Sequence, residues 1–157
     1  MTKIALAGIV SLSLLISACT TTSSPLDLVT GGATRVSDQG QVAAILQDVH
    51  EGMERQRIYK VMAHVSPAYY DEAGRDYAAI QEYLKTVFQQ YDVIRINRTA
   101  PRIVVEGDTA RALESFGTVA ETSDPSLGTE ISLQGHVVVY FEKNAGIWQI
   151  VRWGVMR

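Results

Sequence analysis

This chain of 157 residues has three histidines and one cysteine, so any acid–base, metal or nucleophilic chemistry depends on where these meet carboxylates and tyrosines. Glu114 is the most suggestive of them. It is the one carboxylate on a face of the strand-like segment Thr109 to Ala120 that also presents Ala110, Ala112 and Phe116. A carboxylate buried there must pair or change its proton affinity, because an unpaired ionised group is costly to desolvate. Arg111 and Arg152 are the expected partners, with pairing favoured over catalysis. His136, in the middle of the next strand-like segment, is a second proton-carrying candidate, although a lone histidine is more often a partnered structural residue. His50 and His64 fall on separate helical segments with no carboxylate at ligand spacing, so no metal site is expected. With Cys19 the only thiol, no internal disulfide can form.

The elements that must position these groups follow from hydrophobic period. Asp38 can cap a helix with Gln41 three residues later, and Val42, Ile45, Leu46, Val49 and Met53 then recur at helical spacing. Ile58, Val61, Met62 and Val65 predict a short second helix stopped by Pro67. Asp76 caps a third, whose wide apolar stripe includes Tyr77, Ile80, Leu84 and Phe88. Five strand-like segments follow: Val93 to Asn97, Arg102 to Glu106, Thr109 to Ala120, Ile131 to Glu142 and Ile147 to Met156, with turns at Gly107-Asp108 and Asn144-Ala145-Gly146. Helices first and strands second predict an α+β domain, with N-terminal helices packed on one face of an antiparallel sheet.

The N-terminal region reads differently. Met-Thr-Lys precedes an uncharged apolar run from Ile4 to Ile16, the build of a secretory signal and too short to span a bilayer comfortably. The order Ile16-Ser17-Ala18-Cys19 resembles the lipobox of bacterial lipoproteins. That resemblance implies cleavage before Cys19 and acylation of its thiol, so that acyl chains hold the protein to a membrane. Thr20, in place of an aspartate, implies the inner leaflet of the outer membrane, facing the periplasm. The expected layout is a signal peptide at 1–18, an acylated Cys19 and Ser/Thr/Gly-rich tether at 19–36, and a folded domain at 37–157. A formal net charge of −3 gives no electrostatic footprint for nucleic acid.

Three pieces in this order carry a resemblance that covers roughly Gln41 to Val155: Ser66-Pro67-Ala68-Tyr69-Tyr70-Asp71-Glu72-Ala73-Gly74, Val105-Glu106-Gly107-Asp108-Thr109-Ala110, and Gly146-Ile147-Trp148-Gln149-Ile150. Together they resemble the nuclear transport factor 2-like superfamily, also described as SnoaL-like or cystatin-like. The resemblance implies a cone, a curved sheet wrapped round helices with a cavity between them. The superfamily includes isomerases, cyclases, epoxide hydrolases, dehydratases and binding domains without catalysis, so fold alone does not choose a function. Neither the isomerase set of an Asp base with Tyr and protonated Asp nor the dehydratase His and Asp pair is matched in this sequence. The favoured expectation is therefore a non-enzymatic module, free of cofactors, that binds a small apolar ligand or an envelope protein. The alternative is a SnoaL-like enzyme with Glu114 or His136 as acid or base and Tyr69 or Tyr140 donating a hydrogen bond.

The same resemblance places Tyr69, Tyr70 and Asp71 where relatives line or close the cavity, against the alternative that the tyrosines pack on Gly74 and Asp71 caps the loop. On the last strand, alternation turns Trp148, Ile150 and Arg152 towards the helices, with Arg152 near the cavity mouth, and turns Val151, Trp153 and Val155 outwards. An outer face bearing Trp153 would be an association surface, with homodimerisation through the sheet the leading expectation.

Overall fold

The computed structural model describes residues 36–127 and 130–156. The expected signal at 1–18 and the acylated Cys19 with its tether up to residue 35 lie outside the described residues. Helix α1 spans Asp38–Glu54, α2 Ile58–Met62 and α3 Tyr77–Gln90. Strands β1 (Val93–Arg98), β2 (Arg102–Glu106), β3 (Thr109–Glu121), β4 (Glu130–Asn144) and β5 (Ile147–Met156) form one antiparallel sheet in the order β1-β3-β4-β5. Strands β1 and β2 share the same edge of β3: β2 pairs with its first half, up to Leu113, and β1 with its second, from Phe116. The α+β layout read from the sequence is the one observed.

Local chemistry explains the helix boundaries. Ser37, rather than Asp38, caps α1, its Oγ accepting from the Gly40 amide at 3.1 Å. Asp38 instead accepts from Trp148 Nε1 at 3.0 Å and Lys143 Nζ at 2.6 Å, which pins the start of α1 to the turn between β4 and β5. Those bonds hold its carboxyl below the usual carboxylate range, the Lys143 bond contributing most. Asp76 caps α3 as expected, accepting from Ala79 at 2.8 Å. Gly52 permits the close approach of α1 and α2, since a Cβ there would lie 2.8 Å from Val61 Cγ2.

The core forms where α1 and α2 meet the concave face of the sheet. Val42, Leu46 and Val49 are fully buried against Ala112, Val139 and Ile150, with Phe141 and Trp148 beside them. Large apolar groups on one helix stripe thus face small and branched groups on the central strands.

One irregularity redirects the last strand. Tyr140 pairs with Arg152 but the next residue, Phe141, pairs with Ile150, so Val151 is the extra residue of a β-bulge. Beyond it the side-chain alternation is reversed. Arg152 is exposed and its guanidinium lies 3.9 Å from the Tyr140 ring centroid, whereas Trp153 packs half-buried against the core. This corrects the expectation that Arg152 points into the cone and that Val151, Trp153 and Val155 form an outward apolar patch. Val155 is placed only by register, opposite Val137. A strict period of two cannot foresee the correction, because a single inserted residue exchanges the two faces for everything after it.

Deleting Val151 should give an unbroken ladder in which Ile150 and Trp153, then two places apart, still share the core face, and should cost the Tyr70 amide its acceptor, the Val151 carbonyl. Urea unfolding is expected to show a loss of about 1–3 kcal/mol, the scale of leaving one buried donor without its partner, with the near-UV signal of Trp153 retained. Val151→Ala, which keeps the bulge, should cost less than about 1 kcal/mol.

Candidate functional site

Glu114 stands in the middle of β3 on the core side and is only 4% exposed. Its partners are neither Arg111 nor Arg152. Arg111 is an odd number of residues away along the strand and therefore points to the other face, and the bulge turns Arg152 out. Arg98, the last residue of β1, takes that place, with Nη1 3.4 Å from Glu114 Oε2 and its Nη2 donating to Gln47 Oε1 on α1. His50 supplies the second contact. It sits one turn after Leu46 on the buried stripe of α1, with Nε2 3.0 Å from Glu114 Oε1. Its membership of that stripe, three residues before Met53 and four after Leu46, was the available sequence signal for a buried partner.

The hydrogen-bond inventory constrains this pair. His50 Nδ1 lies 2.6 Å from the Leu46 carbonyl, which can only accept, so Nδ1 carries a proton. A neutral ring would then turn the Nε2 lone pair towards a carboxylate oxygen, and the contact is favourable only when one further proton resides on the pair. The approach is also oblique. Although the two atoms are within reach, Oε1 is buried and receives no aligned hydrogen bond. Oε2 is held by arginine while Oε1 keeps acceptor capacity in a site closed to water.

A cavity lies beside this pair. His50 and Glu114 help to line a cavity of about 270 Å³ between α1, α3 and the sheet, whose other walls include Met53, Tyr83, Phe116 and Trp153. Met53, Tyr83 and Trp153 also line a second cavity of about 190 Å³ that reaches Tyr69, Arg75 and Leu84. The walls are mainly apolar and aromatic, with the Glu114 and His50 pair as the polar group at one end.

At the other end Asp71 organises the link between α2 and α3. Its Oδ1 accepts from the amides of Ala73 and Arg75, both at 2.9 Å, and its Oδ2 from Arg75 Nε at 2.8 Å and the Tyr69 hydroxyl at 3.2 Å. Burial pushes the Asp71 carboxyl up, but the Arg75 amide and guanidinium, with the Tyr69 hydroxyl, outweigh it and hold the group below its ordinary value. Burial, followed by the Asp71 charge, pushes the Tyr69 phenol well above its own. Arg75 in turn lies over the Tyr83 ring at 4.5 Å. Tyr69 and Arg75 thus line the inner cavity, whereas Asp71 lines neither cavity and caps its loop behind them.

The remaining sequence candidates lie elsewhere. Tyr70, Tyr140, Val151 and Arg152 border a separate groove of about 490 Å³ whose lining also includes Arg111. His136 is exposed, its Nδ1 2.9 Å from Ser115 Oγ. The register sets His136 opposite Ser115 and Glu114 opposite Val137, so His136 and Glu114 belong to opposite faces and cannot act on one ligand.

No family model and no curated protein sequence matches the chain. Solved structures do. A nuclear transport factor 2-like superfamily protein from Salmonella enterica serovar Typhimurium LT2 superposes with a TM-score of 0.64 and 17% identity, over 75% of this chain and 89% of that one. The fold is nuclear transport factor 2-like. A Novosphingobium aromaticivorans protein with a provisional scytalone dehydratase assignment matches at 0.65 and 11% identity, over 74% and 83% of the two chains. Bd1075 of Bdellovibrio bacteriovorus matches at 0.59 and 17% identity, over 73% of this chain but only 38% of its own length. On this nuclear transport factor 2-like fold, the inner cavities occupy the space between helices and curved sheet that the resemblance led us to expect.

Asp71→Asn should destabilise the domain by about 1–3 kcal/mol at pH 7, since it weakens four accepted hydrogen bonds around a buried group. A carboxyl held below its ordinary value contributes stability above the ordinary carboxylate range and loses it as pH falls. The gap between wild type and variant should therefore close below about pH 4, as read from urea midpoints across a pH series.

Proposed function

We propose that this protein is an envelope lipoprotein, anchored through acyl chains on Cys19, whose domain binds a small and largely apolar molecule in the cavity under α1 and α3. The observation that carries the binding reading is that cavity, about 270 Å³ with apolar and aromatic walls and one buried polar end. The anchor rests on the apolar run ending in Ile16-Ser17-Ala18-Cys19. Among the described residues no helix is long and apolar enough to cross a membrane, and the acyl chains supply the attachment in this reading. The case for a homodimer through Trp153 loses its premise, because that side chain packs inwards.

A second reading, an acid–base enzyme on the same cavity, is favoured by one observation: the contact between His50 and Glu114 beside a ligand-sized space. The Novosphingobium neighbour with its provisional dehydratase assignment supports the same reading by fold alone.

Two measurements test the proposal. Native mass spectrometry of the full protein, purified gently from its own envelope, should show an adduct of small apolar mass. Met53→Trp, which fills the space shared by both cavities, should remove that adduct or weaken its binding at least about tenfold, a loss of 1.4 kcal/mol or more. A protein that carries no adduct and binds no apolar probe overturns the binding reading. For the anchor, wild type should incorporate labelled palmitate and sediment with membranes, and Cys19→Ser should do neither.

A further inference from the structure

The outer face of the sheet carries the groove of about 490 Å³, which shares no lining residue with the inner cavities. Two successive rows of outward side chains floor it. In one, Arg111 on β3 stands opposite Tyr140 on β4, and Tyr140 opposite Arg152 on β5. In the other, two residues away along the strands, Thr109 on β3 stands between Glu106 on β2 and Glu142 on β4. Ala68 and Tyr70, carried past the bulge by the link after α2, form a side wall.

These rows bring opposite charges close without closing them on each other. Glu106 and Glu142 each lie diagonal to Arg111, a separation of about 7–8 Å that long side chains can span. Arg95, diagonal to Glu121 on the same face, does pair with it. Yet among the described residues no ion pair joins Arg111, Arg152, Glu106 or Glu142 to another side chain. Arg152 stacks on the Tyr140 ring instead, 3.9 Å from its centroid. A stacked guanidinium keeps the N–H groups of its edge for a second, carboxylate-shaped partner.

We propose that this groove binds a small zwitterion of the dipeptide class, its carboxylate received by Arg111 and Arg152 and its ammonium by Glu106 and Glu142. The match is one of charge and of length. The rows are about 6.5 Å apart along the strands, and the terminal ammonium and carboxylate of an extended dipeptide are separated by roughly 6 Å. A simple anion or a simple cation would satisfy one row and be repelled by the other, whereas a molecule carrying both charges suits each. Ala68 and the Tyr70 ring offer apolar contact to the peptide's side chains. No bond is made or broken.

The test titrates alanylalanine into the 15N-labelled full protein in micelles at low ionic strength, where exposed charges are least screened, and follows backbone amide shifts. Movement is expected at Tyr70, Arg111, Tyr140 and Arg152 and not at His50 or Met53 in the inner cavity. N-acetylated alanylalanine and the C-terminal amide, each lacking one charge, should bind at least about fivefold more weakly, the upper range of one exposed ion pair. Glu142→Gln should narrow the gap between the dipeptide and its acetylated form, and Arg111→Gln the gap between the dipeptide and its amide. Both side chains are exposed, so both variants are expected to fold. Equal binding of the three peptides, gaps that survive both substitutions, shifts confined to the inner cavity, or no shift up to millimolar dipeptide each overturns the proposal and leaves the cavity reading standing.

Discussion

A carboxylate set among Ala112, Val137 and Val139 cannot stay charged without partners, and the partners of Glu114 come from two other elements. His50 brings α1 down onto the centre of β3, and Arg98 requires β1 to end beside the same point. Arg98 also bonds to Gln47, so one guanidinium joins the helix to the edge of the sheet. The two ends of α1 are tied as well. Asp38 reaches Trp148 and Lys143, and Glu54 accepts from the Ile96 amide at 2.9 Å. Each tie is modest alone. Together they fix the rotation of α1 about its axis, which decides whether His50 meets Glu114 at all. The cavity is what remains between that fixed helix, α3 and the curved sheet.

The bulge at Val151 acts on the same space from the opposite side. It turns Trp153 inwards to become a wall of both inner cavities. A bulge leaves backbone groups outside the ladder, and here a neighbouring segment receives them: the Tyr70 amide donates to the Val151 carbonyl at 3.1 Å. Just before it, the Ser66 amide donates to the Ile150 carbonyl and the Ile150 amide to the His64 carbonyl, both at 2.8 Å. The link after α2 therefore covers this edge of β5, which would otherwise offer free pairing groups. Asp71 holds that link in shape, so its hydrogen-bond knot supports the bulge and, through it, the placement of Trp153.

Whatever followed a period was legible in the sequence. Helices α1 and α3, the five strands, the Asp76 cap and the inward row Ala110, Ala112, Glu114 and Phe116 all follow from spacing and capping chemistry, and the structure contains them. The site was legible only in part. Glu114 stood out because a carboxylate interrupted an apolar row, but its partners come from residues 64 positions earlier and 16 earlier, and spacing along the chain carries no sign of such pairings. His50 reads as an isolated histidine until α1 is docked on β3. The bulge left no mark at all: Val151 stands between Ile150 and Arg152 with no glycine or proline beside it, and the amide that meets its carbonyl, that of Tyr70, lies 81 positions earlier.

The polar pair is also where stability and binding pull apart. A buried charged cluster of this kind is seldom a net contributor to folding, because desolvating three charged groups offsets much of their attraction, and well-packed apolar residues of similar volume often do as well or better. Leucine at position 114, with apolar partners at 50 and 98, would extend the core formed by Val137, Val139 and Phe141 without a break. It would also remove the one buried side-chain oxygen that lacks an aligned donor among the described residues. Folding alone accounts for the helices, the curved sheet and the bulge, whose side chains all gain by burial. It does not account for a carboxylate at the centre of the sheet, held by one histidine and one arginine where apolar groups would pack without the cost of desolvation.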